Sequence, residues 1–288
     1  MLAIVGGLVT ACLWCSTLLG SARASRLIGS WAALGWVMLV GIVVAVPAVI
    51  LTAPSPTLTD RDLAYLVIAG ISNTGGLLLT YTALRRGKVA VVGPIASTEG
   101  AIGATIAIFA GDPVSAATIG VLALIAIGVV LASIERGPSD VADGDPPRAS
   151  GPVTAAIAVA GALLFGLNLF AISRLADTVP LAWTVLPARV AGFAGVTIPL
   201  VLMRRLSIVR AAVPFVVLVG LAEVAGIATY AIAATDSAPV ASVISSQFAA
   251  IAAVVAFVFF GERLTRVQTA GVVTIVAGVT LLAIVQAG

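Results

Sequence analysis

The chain contains no histidine among its 288 residues. That absence removes Ser-His-Asp and Cys-His catalysis, imidazole metal ligation and histidine proton relays together. Charge is scarce as well: Lys, Arg, Asp and Glu make up 9% of the sequence, against about 25% in soluble proteins. With 61% hydrophobic residues, a water-soluble globule is excluded. Only two cysteines occur, Cys12 and Cys15. Their C-x-x-C spacing would read as a redox motif in a soluble βαβ setting. Here both fall in the first apolar run with no nearby cation to favour a thiolate, so they read as small packing residues. No Walker A sequence is present, and direct drive by ATP has no support in this chain.

What the sequence does contain is apolar runs of bilayer length. A spanning helix needs about 20 predominantly apolar residues. Ten such runs can be marked, at 2–20, 31–52, 63–84, 89–110, 115–134, 152–173, 179–203, 211–234, 238–260 and 265–286. The expected fold class is therefore all-α integral membrane, with ten transmembrane helices. Residues 1–20 also invite comparison with a signal peptide, because Ala22-Arg23-Ala24 mimics a cleavage site. No positive charge precedes that run, whereas Arg23 and Arg26 follow it, so the segment is expected to remain as a helix.

One composition break interrupts the pattern. Glu135 to Gly151 is rich in Pro, Gly and Asp and reads as a solvated, cytoplasmic linker (135–151) between a first half, 1–134, and a second, 152–288. Its Asp140, Asp143 and Asp145 lack the ligand spacing of a calcium loop and have no closing Glu. The halves repeat: a shift of 150 positions places Gly70 on Gly220, Gly76 on Gly226, Gly111 on Gly261, Ser115 on Thr265 and Gly128 on Gly278. Tyr81 meets Tyr230 after a one-residue slip. A repeat of five spans is odd-numbered, so its second copy enters the bilayer from the opposite side and the halves are expected as inverted repeats.

Loop charges point the same way. The connectors after spans 1, 3, 5, 7 and 9 carry Arg23 and Arg26; Arg85, Arg86 and Lys88; Arg136 and Arg148; Arg204, Arg205 and Arg210; and Arg263 and Arg266. The opposite side has only Arg61 and Arg174. This positive-inside signal places both termini outside the cytoplasm. It also accounts for the net charge of +3 as topology and not as affinity for nucleic acid. At the turn after span 9, Gly261 can end one helix, and Thr265 with Gln268 fits a capping box opening the next. In the first half, Gly111, Asp112 and Pro113 stop span 4 and Ser115 can cap span 5.

The sequence at this point resembles the EamA family of the drug/metabolite transporter (DMT) superfamily. The resemblance rests on the two five-span halves, Leu13-Trp14 in the first span, the G-E-R-L-T-x-x-Q turn from Gly261 to Gln268, and Gly271 and Gly278 beyond it. The first half departs from the pattern, with Gly-Asp-Pro-Val-Ser at 111–115. The resemblance implies a ten-helix transporter working by alternating access around a central cavity contributed by both halves. Such proteins often export amino acids, other metabolites or drugs.

Polar residues inside the spans supply the candidate site. An ionisable group in hydrocarbon costs about 2.5–3.5 kcal/mol on insertion scales, so each needs a partner or a wet cavity. Glu99 in span 4, Arg189 in span 7 and Glu223 in span 8 stand out. A carboxyl there can couple proton movement to helix rearrangement or hold a cationic group, and Glu223 and Glu99 are the candidates for that role. The plainer alternative is a buried pair with Arg189, although one Arg cannot neutralise two carboxylates. Arg189 can equally clamp a substrate carboxylate or anchor a Glu. Asn73 falls 150 positions before Glu223, placing an amide and an acid at equivalent depths. Asn168, Gln247, Ser245 and Ser246 add hydrogen-bonding capacity, though such groups also join helices to each other. Trp14 is a candidate cavity wall, and Trp183 is a further aromatic of interest. Tyr81 and Tyr230 are gate candidates, with an interfacial aromatic belt as the alternative. Pro94 and Pro187 are expected to interrupt spans 4 and 7 beside the charges.

The functional expectation is a secondary transporter of the bacterial inner membrane that exports a small metabolite, amino-acid-like or drug-like. Its partners are the solute, the lipid bilayer and protons as coupling ion, with no cofactor, no metal and no nucleic acid. Two alternatives are a membrane-embedded enzyme acting on a lipid-linked substrate and an accessory protein without flux of its own. The first would need catalytic groups in sizeable polar loops. The second would need Glu99, Arg189 and Glu223 to satisfy one another with no wet cavity.

Overall fold

A computed structural model of the chain describes residues 1–52, 56–111, 116–133, 151–175, 178–245, 247–260 and 264–287. The linker 135–150, the turn residues Asp112, Pro113 and Ser115, Ser246, and the Gly261-Glu262-Arg263 part of the second turn lie outside the described residues. All described elements are helical: α1 (Leu2–Ile28), α2 (Ser30–Thr52), α3 (Asp60–Arg86), α4 (Val89–Ala96), α5 (Glu99–Phe109), α6 (Ala116–Ser133), α7 (Gly151–Ser173), α8 (Leu186–Gly192), α9 (Ile198–Leu202), α10 (Val213–Ser245), α11 (Phe248–Phe260) and α12 (Arg266–Ala287). Among the described residues, seven helical stretches are long and apolar enough to cross a membrane, and three shorter apolar ones accompany them at Ile119–Ala132, Phe248–Val258 and Arg266–Leu282. Large apolar side chains such as Val43, Val130, Val201 and Val254 stand exposed on the outside of the bundle. In water such a surface would drive association; in lipid it is solvated.

Three spans are not the single rods that the hydropathy suggested. Span 4 divides into α4 and α5 at Ser97 and Thr98, three residues after Pro94. The hydroxyls of Ser97 and Thr98 donate to the carbonyls of Pro94 (2.8 Å) and Ile95 (2.7 Å), satisfying backbone acceptors at the end of α4. Span 7 is a composite of a 3₁₀ turn (Leu181–Val185), α8, a π-helical turn (Phe193–Thr197) and α9. Pro187 does not interrupt this span but lies in the first turn of α8, where its missing N–H has no intrahelical acceptor to lose. The connector expected at Thr235 to Ser237 is also helical. The backbone of α10 continues through it to Ser245, because the preceding Ala231-Ile232-Ala233-Ala234 favours helix and carries no glycine. The break falls later, just before Phe248, which places it at the position equivalent to the Ser97-Thr98 break.

Caps and side-chain bridges define the two ends of the bundle. At one end, Arg26 of α1 donates to the carbonyls of Leu84 (3.3 Å) and Gly87 (3.0 Å), meeting the negative pole of α3. Trp36 of α2 donates to the Ser207 carbonyl at 3.2 Å, bringing the loop after α9 to the loop after α1. The arginine-bearing connectors after spans 1, 3 and 7 therefore share one end. At the other, Thr59 and Asp62 form a capping box that starts α3, and Asp62 Oδ1 also accepts from Thr178 at 2.8 Å. The Thr265–Gln268 capping box expected from the sequence opens α12, with backbone-to-side-chain bonds of 3.1 and 3.2 Å.

Packing relates the halves in pairs. The most extensive interfaces join α1 to α10, α3 to α7, and α6 to α12. Glycines permit the close approaches, and they do so reciprocally. A Cβ on Gly128 would lie 2.9 Å from Ile275, and one on Gly278 2.6 Å from Ile125. A Cβ on Gly76 would lie 2.7 Å from the Phe165 ring, and one on Gly226 2.6 Å from the Trp14 ring. The carbonyl of Pro187 seals Gly70, as Val40 and the carbonyl of Val37 seal Gly220.

Candidate functional site

Where the halves meet, the bundle encloses a cavity of about 430 Å³, within the roughly 300–1,000 Å³ of small-molecule pockets. Helical register decides which side chains reach it. Trp14, Thr17, Leu18 and Ser21 form one stripe on α1; Phe165, Asn168, Leu169 and Ile172 form the matching stripe on α7, each 151 positions further on. Asn73, Leu77 and Thr80 on α3 correspond in the same way to Glu223, Ile227 and Tyr230 on α10, 150 positions further on. Spacings of i, i+3 or i+4, and i+7 place each set on a single helix face. The broken span contributes Ser97 and Glu99 from the α4–α5 junction, while Ser245 and Phe248 flank the second break.

Electrostatics within the cavity centre on one ion pair. Arg189 Nη2 donates to Glu223 Oε2 at 3.0 Å. The guanidinium is packed away from the open space: Arg189 is 1% exposed, whereas the Glu223 side chain is 14% exposed. Its stem passes beside Gly41, where a Cβ would come within 2.9 Å of Arg189 Cδ, and Nη1 points at the Met38 sulfur at 3.9 Å. The glycine is needed to let the side chain through. Glu99 lines the same cavity as the first residue of α5, and among the described residues its carboxylate has no hydrogen bond or ion pair. Among the described residues, three polar atoms outside the ion pair on cavity-lining side chains are buried without a partner: Asn73 Oδ1, Thr80 Oγ1 and Tyr81 OH. Orphans of this kind are uncommon in folded proteins, and three beside one space indicate a site completed by water or a solute.

Aromatic rings form another wall. Trp14 stacks on Tyr230 with centroids 6.0 Å apart and meets Phe248 edge-on at 5.9 Å. Tyr81 is 2% exposed and faces the cavity, so neither tyrosine belongs to a lipid-facing belt.

Of the residues singled out from sequence, Trp14, Asn73, Tyr81, Glu99, Asn168, Arg189, Glu223, Tyr230 and Ser245 all line this one cavity. Gln247 does not. Its Nε2 donates to Thr280 Oγ1 at 2.9 Å, tying the start of α11 to α12. Trp183 stands apart too, packing with Tyr65 against the Leu66–Leu175 cluster. Sequence reasoning missed Thr17, Ser21, Thr80, Ser97 and Thr184, together with Phe165 and Phe248. Register was the available signal for the first three: Thr17 and Ser21 lie three and seven positions after Trp14, and Thr80 lies seven after Asn73. Among the described residues, no three His, Cys, Asp or Glu side chains converge as metal ligands.

Residues 1–134 match the profile of the EamA-like transporter family, part of the DMT superfamily. Over these residues, somewhat less than half of the chain, the sequence is similar to the EamA-like family. Its members are membrane transporters of the DMT type, and the chain is a multi-pass membrane protein. Among solved structures, one crystal structure of a protein is similar over 99% of this chain and 96% of its own, with a TM-score of 0.64 at 18% identity. At that identity the likeness speaks for the fold alone. No curated protein matches the sequence.

Proposed function

We propose that this EamA-like protein is a secondary active transporter that exports a small amino-acid-like or drug-like metabolite across the bacterial inner membrane by alternating access. The observation that carries the reading is the shared cavity: equivalent stripes of α1 and α7, and of α3 and α10, surround it with two carboxyl groups. We further propose that residues 1–134 and 152–288 are two inverted five-span repeats joined by a cytoplasmic linker, giving ten spans with both termini extracytoplasmic. Reciprocal glycine contacts favour this arrangement, since a pair such as Gly128 on Ile275 and Gly278 on Ile125 is what a twofold relation between halves generates. Two equivalent halves around a central site can rock so that the cavity opens to one side and then the other.

Glu223 and Glu99 are the proposed coupling carboxyls, because a carboxylate facing the cavity can hold a proton on one leg of the cycle and release it on the other. Tyr81 and Tyr230 are proposed as gates. Gln247 we assign to helix joining. The accessory-protein reading loses ground on the cavity itself, and no lining cluster favours the enzyme reading. Comparing metabolites in medium and cytosol, between cells lacking and overproducing the protein, identifies the solute and its direction. Flux of that solute in liposomes is then expected to collapse when the proton gradient is dissipated. Glu223→Gln or Glu99→Gln is expected to abolish its pH dependence; unchanged flux and pH dependence in both variants would reject the coupling role.

A further inference from the structure

Among the described residues, three charged side chains reach the cavity: Glu99, Arg189 and Glu223. They are unequally available. Arg189 is sealed beneath Gly41 and Met38 and committed to Glu223, with its Nε buried away from the open space. Glu223 keeps part of its surface open, and Glu99 has no hydrogen bond or ion pair among the described residues. One guanidinium offsets one of two carboxylates, so with Glu99 ionised an entering solute meets a surplus of one negative charge and, among the described residues, no accessible positive one. Opposite charge in a low-dielectric cavity is strongly favoured and like charge strongly disfavoured.

The neutral groups narrow the class further. Buried and unpartnered, Asn73 Oδ1 is an acceptor, and the hydroxyls of Thr80 and Tyr81 can accept as well as donate. Tyr81 is 2% exposed, and its OH has no partner among the described residues. These acceptors suit a ligand carrying N–H donors. The Trp14–Tyr230–Phe248 ring cluster offers faces for a cation and an apolar wall for the body attached to it.

We infer that the cavity selects solutes bearing a protonated amine on an apolar or aromatic body, with Glu99 as the counter-ion, the Asn73–Tyr81 wall receiving the ammonium N–H groups and the Trp14 cluster holding the body. Carboxylate-bearing anions are excluded, because the guanidinium that would receive them is covered. The inference deepens the transporter reading by naming its substrate class, and it is tested by binding and not by flux.

Four probes sharing one ring system separate charge from shape: tryptamine, its N-trimethylated cation, indole-3-ethanol and indole-3-acetate. Their equilibrium binding to the purified full-length protein in detergent is measured by calorimetry. Tryptamine is expected to bind at least tenfold tighter than the alcohol and the acetate, and tighter than the trimethyl cation, which has no ammonium N–H. Glu99→Gln is expected to erase the preference for tryptamine over the alcohol, and Glu99→Asp to retain it; size-exclusion profiles verify that both variants fold. Indole-3-acetate or the alcohol binding as tightly as tryptamine, no binding of tryptamine, or a full preference surviving in Glu99→Gln would overturn the inference. Export of a neutral or anionic solute would sink it while leaving transport intact. Amine-selective binding without flux of any solute would do the reverse.

Discussion

Arg189 lines the cavity yet is almost wholly buried in its wall. Its charge sits in an apolar bundle at 1% exposure, with Glu223 as the only carboxylate hydrogen-bonded to it among the described residues. Removing one member of a buried pair leaves the other uncompensated, at about 3–5 kcal/mol. Arg189→Gln is therefore expected to lower the thermal unfolding midpoint sharply in detergent, and adding Glu223→Gln to recover more than half of the loss. A double variant as unstable as the single one would show that Arg189 stabilises through its packing against Met38 and Gly41 instead. The three ionisable residues were legible in the sequence because a charge inside an apolar run is costly enough to demand a reason. Thr17, Ser21 and Thr80 were not, because hydroxyls occur throughout membrane spans, and those of Thr17 and Ser21 bond to their own helix backbone. Only the register of the surrounding helix brings them to the cavity. Gln247 stood out by the same polarity argument as Asn168, yet its amide is spent on Thr280; type alone does not say which way a side chain turns.

At the scale of elements, the close helix approaches rest on absent side chains. Gly76 and Gly226 admit the rings of Phe165 and Trp14, both of which line the cavity, whereas Gly120 on α6 has open space around its Cβ position. Gly76→Ala and Gly226→Ala are expected to push those rings and to destabilise by about 1–3 kcal/mol, the usual cost of overpacking. Gly120→Ala is expected to be neutral or slightly stabilising through helix propensity. Equal midpoints for all three in thermal unfolding would refute the packing account. The apolar runs were readable from hydropathy and Pro94 marked the interruption of span 4, but the π-helical turn in span 7 and the break before Phe248 carried no such mark. The α4–α5 break depends on two hydroxyls that cap freed carbonyls, and the π-helical turn before α9 is held by Thr197 donating to the Gly35 carbonyl at 2.8 Å on a neighbouring helix. The Thr197–Gly35 bond in particular is tertiary and leaves no trace in a local apolar pattern. Pro187 misled in the opposite direction, because a proline in a helix's first turn and one in its interior look alike in sequence.

For the whole molecule, the proposed pair of inverted halves rests on charge, repeat and packing together. The arginine-bearing connectors after spans 1, 3 and 7 share the end where Arg26 meets Leu84 and Gly87, and the Thr59–Asp62–Thr178 cluster marks the other. The repeat was visible as glycines 150 positions apart, and those glycines touch equivalent partners across the bundle. Sidedness is the most direct test. In a background lacking Cys12 and Cys15, single cysteines replace Arg86, at the exposed end of α3, and Asp236, 150 positions further on, and are labelled with a membrane-impermeant maleimide. Two inverted halves predict that position 236 reacts in intact cells and position 86 only after the membrane is opened. Labelling of both positions from the same side would contradict the account.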